Sequence, residues 1–312
     1  MESLKLSFEA VLPIFLLMLL GYFLKRIKMA DKKTFDSINK IIFKVFLPTL
    51  LFYDIYTTKT AGLFDGKLVA FTIIGTICVY LIGFAVVMLV TKDNSKRGVI
   101  LQCFFRSNYA ILGIPLIKYI CGDGSGGISS IMVAVVIPTF NVLAVICLEI
   151  FRGNTINFKK IIIGILKNPL IIGCALGAVF NIFNINLPPV LDKTVADISK
   201  ISSPLAIIVL GASFEFSDIK GYFRENLIAV SARLVFVPLV MLTLGALMGF
   251  TGEAFACLIV IFGAPVAVSS FSMAQQMGGD EKLASQVVVL SSAFCIFTLF
   301  IWIFIYDFIG II

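Results

Sequence analysis

The chain has 312 residues, of which 60% are hydrophobic and 14% charged, with a formal net charge of +7. Soluble domains are about 45–50% apolar, so this composition, with a mean hydropathy of +1.07, excludes an ordinary soluble enzyme and indicates an all-α polytopic membrane protein. The absence of histidine removes serine–histidine dyads, most zinc sites and histidine-ligated haem.

Ten apolar runs follow in order: 7–24 with Pro13, 34–56 with Pro48, 68–91, 98–120, 127–150 with Pro138 and Asn141, 161–182 with Asn168-Pro169, 194–214 with Pro204, 225–249 with Arg233 and Pro238, 254–277, and 284–306. Each is near the ~20 residues that a bilayer-spanning helix requires. The first run reads as a retained helix rather than a signal peptide, because Glu2 and Glu9 flank Lys5 and Lys25-Arg26-Ile27-Lys28 follows. The seven cysteines form no CxxC pair, and all but Cys121 lie in apolar runs, where a thiol acts as a small hydrophobe. Gly122 to Gly127 superficially suggests a phosphate loop, but no strand precedes it and no GK[ST] follows. It reads as an external turn.

The fourth run departs from a uniform membrane helix. It contains Arg106-Ser107-Asn108-Tyr109-Ala110-Ile111-Leu112-Gly113-Ile114-Pro115, which places a cation, a carboxamide, a glycine and a proline inside apolar sequence. Proline bends or breaks a helix. Broken backbone at membrane depth is tolerated where it is buried in protein or lines a watery cavity. The segment is therefore a candidate substrate site.

The two halves resemble each other. Gly113-Ile114-Pro115 in the fourth run is matched by Gly263-Ala264-Pro265 in the ninth, and Asp31-Lys32-Lys33-Thr34 before the second by Asp192-Lys193-Thr194 before the seventh. The predicted organisation is a five-helix repeat over 1–151, a short cytoplasmic link over 152–160, and a second five-helix repeat over 161–312. Five is odd, so the second repeat enters the membrane from the opposite side, as in many secondary transporters. Lysine and arginine concentrate in links 1–2, 3–4, 5–6, 7–8 and 9–10. The positive-inside rule then puts those links in the cytoplasm and both termini outside. At 1.5 Å per residue, Asn108 and Pro265 each lie about 15–16 Å deep. Two oppositely running broken helices would meet at the midplane and direct half-helix N-termini, each with roughly half a positive charge, at an anion.

Asn108 through Pro115, Leu47-Pro48, and Gly263-Ala264-Pro265-Val266-Ala267-Val268-Ser269-Ser270 resemble the auxin efflux carrier family, which includes plant PIN carriers and bacterial organic-acid permeases, over essentially the whole chain. The resemblance implies ten transmembrane helices in two inverted five-helix repeats, with helices 4 and 9 broken and crossing. It implies a scaffold from helices 1, 2, 6 and 7 and a moving transport domain from helices 3–5 and 8–10. It implies auxin-like, malate-type or malonate-type acids as substrates, and it places Asn108 on the substrate carboxylate. The prolines that accompany the two breaks in PIN carriers correspond to Ser107 and Ser270 here. The short 152–160 link lacks the long hydrophilic loop of the plant carriers, which favours a microbial permease.

The substrate-site candidates are Asn108, Arg106, Tyr109, Gly113, Pro115, Pro265, Ser269, Ser270, Gln275 and Arg233. Several admit two readings. Asn108 either contacts substrate or satisfies backbone freed by the break. Arg106 and Arg233 either bind a carboxylate bidentately or serve structure, Arg106 by reaching back to the cytoplasm. Ser269, Ser270 and Gln275 either line the cavity or bond between helices. Lys44 lies deep in the second run, on a watery path or against a structural partner. Gln286, Ser291 and Ser292 fit interhelical packing, and Pro138 with Asn141 fits a kink with a satisfied side chain. Asp54, Glu149, Glu215 and Asp307 lie near run ends, so no acidic residue marks an ion relay at mid-depth.

The reading is a secondary transporter of a small organic anion in the cell membrane, working by alternating access. A fixed-pore organic-anion channel is the alternative. An intramembrane hydrolase is disfavoured because histidine and paired midplane aspartates are missing. The implied partners are a small carboxylate, the lipid bilayer and, at most, a second copy of the chain. No cofactor, metal or nucleic acid is implied.

Overall fold

The computed structural model describes residues 2–58, 65–122, 127–152 and 158–312. Lys59, most of the 122–127 turn and most of the 152–160 link lie outside the described residues.

The described chain is almost wholly helical. Its α-helices are α1 Glu2–Arg26, α2 Lys32–Ile41, α3 Leu47–Tyr56, α4 Gly66–Val90, α5 Asn94–Phe105, α6 Tyr109–Cys121, α7 Gly127–Phe151, α8 Phe158–Leu166, α9 Pro169–Ile182, α10 Pro189–Ser213, α11 Phe223–Ser231, α12 Val237–Leu247, α13 Gly252–Gly263, α14 Ser269–Met277 and α15 Glu281–Phe308. Among the described residues, five segments are long and apolar enough to cross a membrane: Gly66–Val90, Gly127–Phe151, Pro189–Ser213, Phe216–Leu247 and Glu281–Phe308. Large apolar side chains such as Leu89, Ile182, Leu247 and Phe308 cover the exterior. That surface suits lipid and marks a multi-pass membrane protein.

Aspartates start many of these helices. The carboxylates of Asp31, Asp65, Asp93 and Asp280 accept backbone N–H groups in the first turns of α2, α4, α5 and α15, and each satisfies donors that a helix start leaves unpaired. Asn168 does the same for α9, where Pro169 takes the first helical position.

Prolines account for two local widenings. A π-turn at Ile42–Phe46 precedes Pro48, and another at Ala232–Phe236 precedes Pro238. A proline supplies no N–H and crowds the carbonyl four residues earlier, and widening the turn relieves that clash. The carbonyl that Pro238 leaves is that of Leu234, which accepts the indole N–H of Trp302 at 3.0 Å. Lys44, within the first π-turn, is exposed.

Helices α1, α3, α9 and α10 pack through their backbones. A Cβ on Gly21 would lie 1.8 Å from the carbonyl oxygen of Ile208, and one on Gly211 would lie 2.0 Å from that of Met18. Gly173 and Gly177 of α9 press on Pro48 and Phe52 of α3, where added Cβ atoms would lie 2.5 and 2.6 Å from carbonyl oxygens. Small residues at helical spacing allow this approach, and in lipid close van der Waals contact is a main source of helix association. Helices α4 to α7 and α11 to α15 pack mainly on one another, with α13 against α6 and α12, and α5 against α4 and α7. Their glycines face side chains: Gly75 meets Met241, Gly83 meets Phe104, and Gly245 meets Leu258.

Candidate functional site

The sixth run, expected as one helix, is split at Asn168-Pro169 into α8 and α9, because proline cannot continue the hydrogen-bond ladder; two further interruptions, in the fourth and ninth runs, build the site. α5 ends at Phe105 and α6 starts at Tyr109, with Arg106 in extended conformation between them. α13 ends at Gly263 and α14 starts at Ser269, with Ala264 extended. The interruptions meet. Ser107 and Val266 form an isolated antiparallel bridge, and the Asn108 N–H donates to the Pro265 carbonyl at 2.8 Å. The Val266 N–H donates to Ser291 Oγ at 3.2 Å, which ties the second break to α15.

The breaks correct the expected match between the two Gly-x-Pro triplets. Gly263-Ala264-Pro265 lies at its break, whereas Gly113 and Pro115 lie inside α6, which runs on to Cys121. The structural equivalents are Ser107 and Val266. A proline seven positions into a helix does not set where that helix begins. The start is set at Asn108, whose extended neighbour Ser107 finds a bridge partner across the contact.

Arg106 is 3% exposed, yet its guanidinium meets only neutral groups. It donates to Gln102 Oε1 at 3.2 Å, to Asn141 Oδ1 at 2.8 Å and to Ser269 Oγ at 2.8 Å, and it touches the Met273 sulfur. No carboxylate pairs with it among the described residues. Beside it, Asn108 Nδ2, Ser107 Oγ, Ser270 Oγ and Gln102 Nε2 are buried without hydrogen-bond partners. Buried polar groups are nearly always paired, so such a cluster indicates a ligand site. A cavity of about 60 Å³ adjoins it. One wall comes from Arg106, Ser107, Asn108, Tyr109 and Ile111 with Ile137, Phe140, Asn141 and Ala267 to Ser269. The other comes from Leu47, Leu50 and Leu51 of α3, Leu170 of α9, and Ser203 and Ala206 of α10.

The other sequence-selected residues separate in space. Tyr109 lines the cavity, and its hydroxyl reaches Ser129, 3.3 Å from the carbonyl and 3.2 Å from Oγ. Gly113 makes room for that ring, since a Cβ there would lie 3.3 Å from it. Pro265 contributes its carbonyl to the Asn108 N–H.

Arg233 is fully buried and does not line the cavity. It donates to the carbonyls of Ala264 at 2.7 Å, Ile261 at 2.6 Å and Phe104 at 3.3 Å. Ile261 is the carbonyl that Pro265 leaves without its helical donor. Arg233 thus bonds the final carbonyls of both α5 and α13, where helix dipoles are negative.

Gln275 lies away from the cavity in a polar network. It accepts from the Asn39 amide and donates to Asp36 at 2.8 Å and Glu281 at 2.9 Å. Ser272 donates to Asn39 at 2.7 Å. Three ion pairs surround it: Lys32–Glu281 and Lys25–Glu215, both at 2.5 Å, and Lys282–Asp218 at 3.0 Å. Hydrogen bonding to Glu281 holds the Lys32 ammonium above its ordinary pKa.

Asn141, Gln102 and Met273 complete the Arg106 environment and were not singled out as site residues from sequence. Gln102 was legible, because it lies four residues before Arg106 on one helix face. Asn141 also bonds the Ile137 carbonyl at 2.9 Å, the kink role expected of it, while its oxygen turns to Arg106. No local signal marks that second role.

Comparison with known proteins identifies the family. A family model described as "Membrane transport protein" matches residues 6–158 and 154–303. An uncharacterized transporter of Methanothermobacter thermautotrophicus is 23% identical over 305 residues, covering 95% of this chain and 97% of its own length. The uncharacterized transporter YfdV of Escherichia coli is 21% identical over 309 residues, covering 95% and 96%. An uncharacterized transporter of Methanocaldococcus jannaschii is 23% identical over 308 residues, covering 94% and 97%. With interrupted helices meeting in a multi-pass bundle and the family model matching nearly its whole length, the chain belongs to the membrane transport protein family, that of the auxin efflux carriers, and is a transporter rather than an enzyme.

Proposed function

We propose that this chain is a secondary transporter of a small organic anion that works by alternating access. The observation that carries this reading is Arg106. It is a buried cation with only neutral partners, beside unpartnered Asn108 Nδ2 and Ser107 Oγ, where the two breaks meet. A buried charge is costly unless compensated. An anionic substrate supplies the compensation and takes the free donors of Asn108 and Ser107.

The cavity walls support the alternating part. One wall belongs to α3, α9 and α10, whose glycine contacts make a stiff block; the other belongs to the two breaks and α7. In this reading the first is the scaffold, and α4 to α7 with α11 to α15 form the transport domain that slides along it. The polypeptide is then ten spans in two inverted five-helix repeats. The end carrying Lys25, Lys32 and Lys282 faces the cytoplasm of a cell membrane, both termini lie outside, and the Asn39–Gln275 network closes the cytoplasmic end. The Asn39–Gln275 bonds join α2 of the scaffold to α14 of the transport domain.

Counterflow in proteoliposomes tests the reading. Preloading with unlabelled carboxylate should accelerate uptake of the labelled acid and saturate. Arg106→Gln should abolish that uptake. Step-like single-channel currents without counterflow would establish the fixed pore instead.

A further inference from the structure

We infer that the substrate is a monocarboxylate with an aliphatic tail, rather than a dicarboxylate or an amino acid. The inference rests on the anion-carrier reading and refines its substrate class.

Charge distribution around the cavity is one-sided. Arg106 is the only charged residue lining it among the described residues. With Ser107, Asn108, Asn141 and Ser269 it makes one polar end. The guanidinium presents a fork that suits a single carboxylate, and the unpartnered Asn108 Nδ2 and Ser107 Oγ lie beside it. Away from that end the wall is Leu47, Leu50, Leu51, Ile111, Phe140 and Leu170, with the neutral Ser203 as its polar member. A second carboxylate would lose its water against these side chains and meet no cation, which is the unfavourable case for burying charge. An α-ammonium fares no better, because no acidic side chain lines the cavity to receive it. An aliphatic tail loses nothing and gains the burial of its methylenes.

The experiment uses the full-length purified protein in detergent and in proteoliposomes. Thermal unfolding midpoints are read against titrations of butyrate, succinate, 2-aminobutyrate and chloride, since a ligand that binds only the folded state raises the midpoint. Counterflow is measured with the same four. Butyrate should act at least tenfold more potently than succinate, and 2-aminobutyrate and chloride should be weaker still. In Leu50→Lys, which adds a cation at the apolar end, succinate should overtake butyrate. Succinate acting as well as butyrate on the unaltered chain overturns the monocarboxylate inference and leaves the anion carrier standing. Chloride acting as well as butyrate, or 2-aminobutyrate matching it, overturns the tail and single-charge arguments in turn. No response to any carboxylate, from protein that melts cooperatively, overturns the anion-carrier reading and this inference with it.

Discussion

The backbone N–H of Asn108 donates to the carbonyl of Pro265, 157 positions along the chain, at 2.8 Å. This one bond makes two helix breaks into a single structure. Neither break needs to satisfy itself from water, which is scarce at membrane depth. The first borrows a carbonyl from the second, the second borrows Ser291 and Arg233, and Asn108 keeps its Nδ2 unengaged.

Arg106 holds a charge that its neutral partners Gln102, Asn141 and Ser269 do not balance. Arg106→Gln retains a donor for the Asn141 oxygen while removing the charge. Its melting temperature is expected to equal or exceed that of the parent, while uptake of the anionic substrate falls at least tenfold. This is the pattern of a site in which stability is sacrificed for activity. A fall in both together would show that Arg106 is structural.

Asn108→Ala removes a side chain with no recorded partner at Nδ2 and no capping bond to its own helix. The fold should be little affected. A hydrogen bond to a charged group is worth about 1.5–3 kcal/mol, so substrate affinity should fall roughly 10- to 150-fold by titration calorimetry or counterflow. Unchanged affinity would refute substrate contact.

Arg233 predicts the opposite pattern to Arg106. Arg233→Met strips donors from the carbonyls of Ala264, Ile261 and Phe104, and each buried unpaired group costs about 1–3 kcal/mol. The variant should melt markedly lower or fail to accumulate. Arg233→Lys should recover part of the stability, because an ammonium can serve some of the three carbonyls. A stable Arg233→Met protein with lost substrate affinity would instead return Arg233 to the substrate site.

Gln275→Leu deletes the amide that joins Asn39, Asp36 and Glu281. If this network is the closed end of the transporter, the variant spends more time open there. A cysteine introduced by Ser272→Cys should then react several-fold faster with a membrane-impermeant thiol reagent in the Gln275→Leu background. Equal rates in both backgrounds would remove the latch role.

Asp93 caps α5, the helix that ends at the candidate site. Bonds from the Ser95 side chain and backbone hold its carboxyl below the ordinary 3.8 despite some burial. A carboxylate with a depressed folded pKa contributes stability that is present above the unfolded value and lost as pH falls through the folded one. The cap should therefore persist at neutral pH and fade only in acid below 3.8. Asp93→Ala should cost about 0.5–2 kcal/mol at neutral pH, and the difference from the parent should shrink in that acid range, as read from melting curves at several pH values.

Membrane class, the approximate helix runs and the presence of a break in the fourth and ninth runs were legible in the sequence alone, because each follows from local chemistry; where each break falls was not, since Gly113 and Pro115 lie inside α6. Long apolar runs cannot stay in water, and a cation and a carboxamide within an apolar run need partners that a uniform membrane helix does not supply. Tertiary structure alone decided which arginine faces the cavity. Arg106 and Arg233 look alike in sequence, each a lone cation in an apolar run, but packing turns one towards Asn141 and Ser269 and the other onto three backbone carbonyls. The same holds for Gln275, which local sequence groups with Ser269 but packing joins to Asn39 and Asp36. A side chain's partners across the bundle depend on how each helix is rotated against its neighbours, and that rotation is set by contacts between residues far apart in the chain.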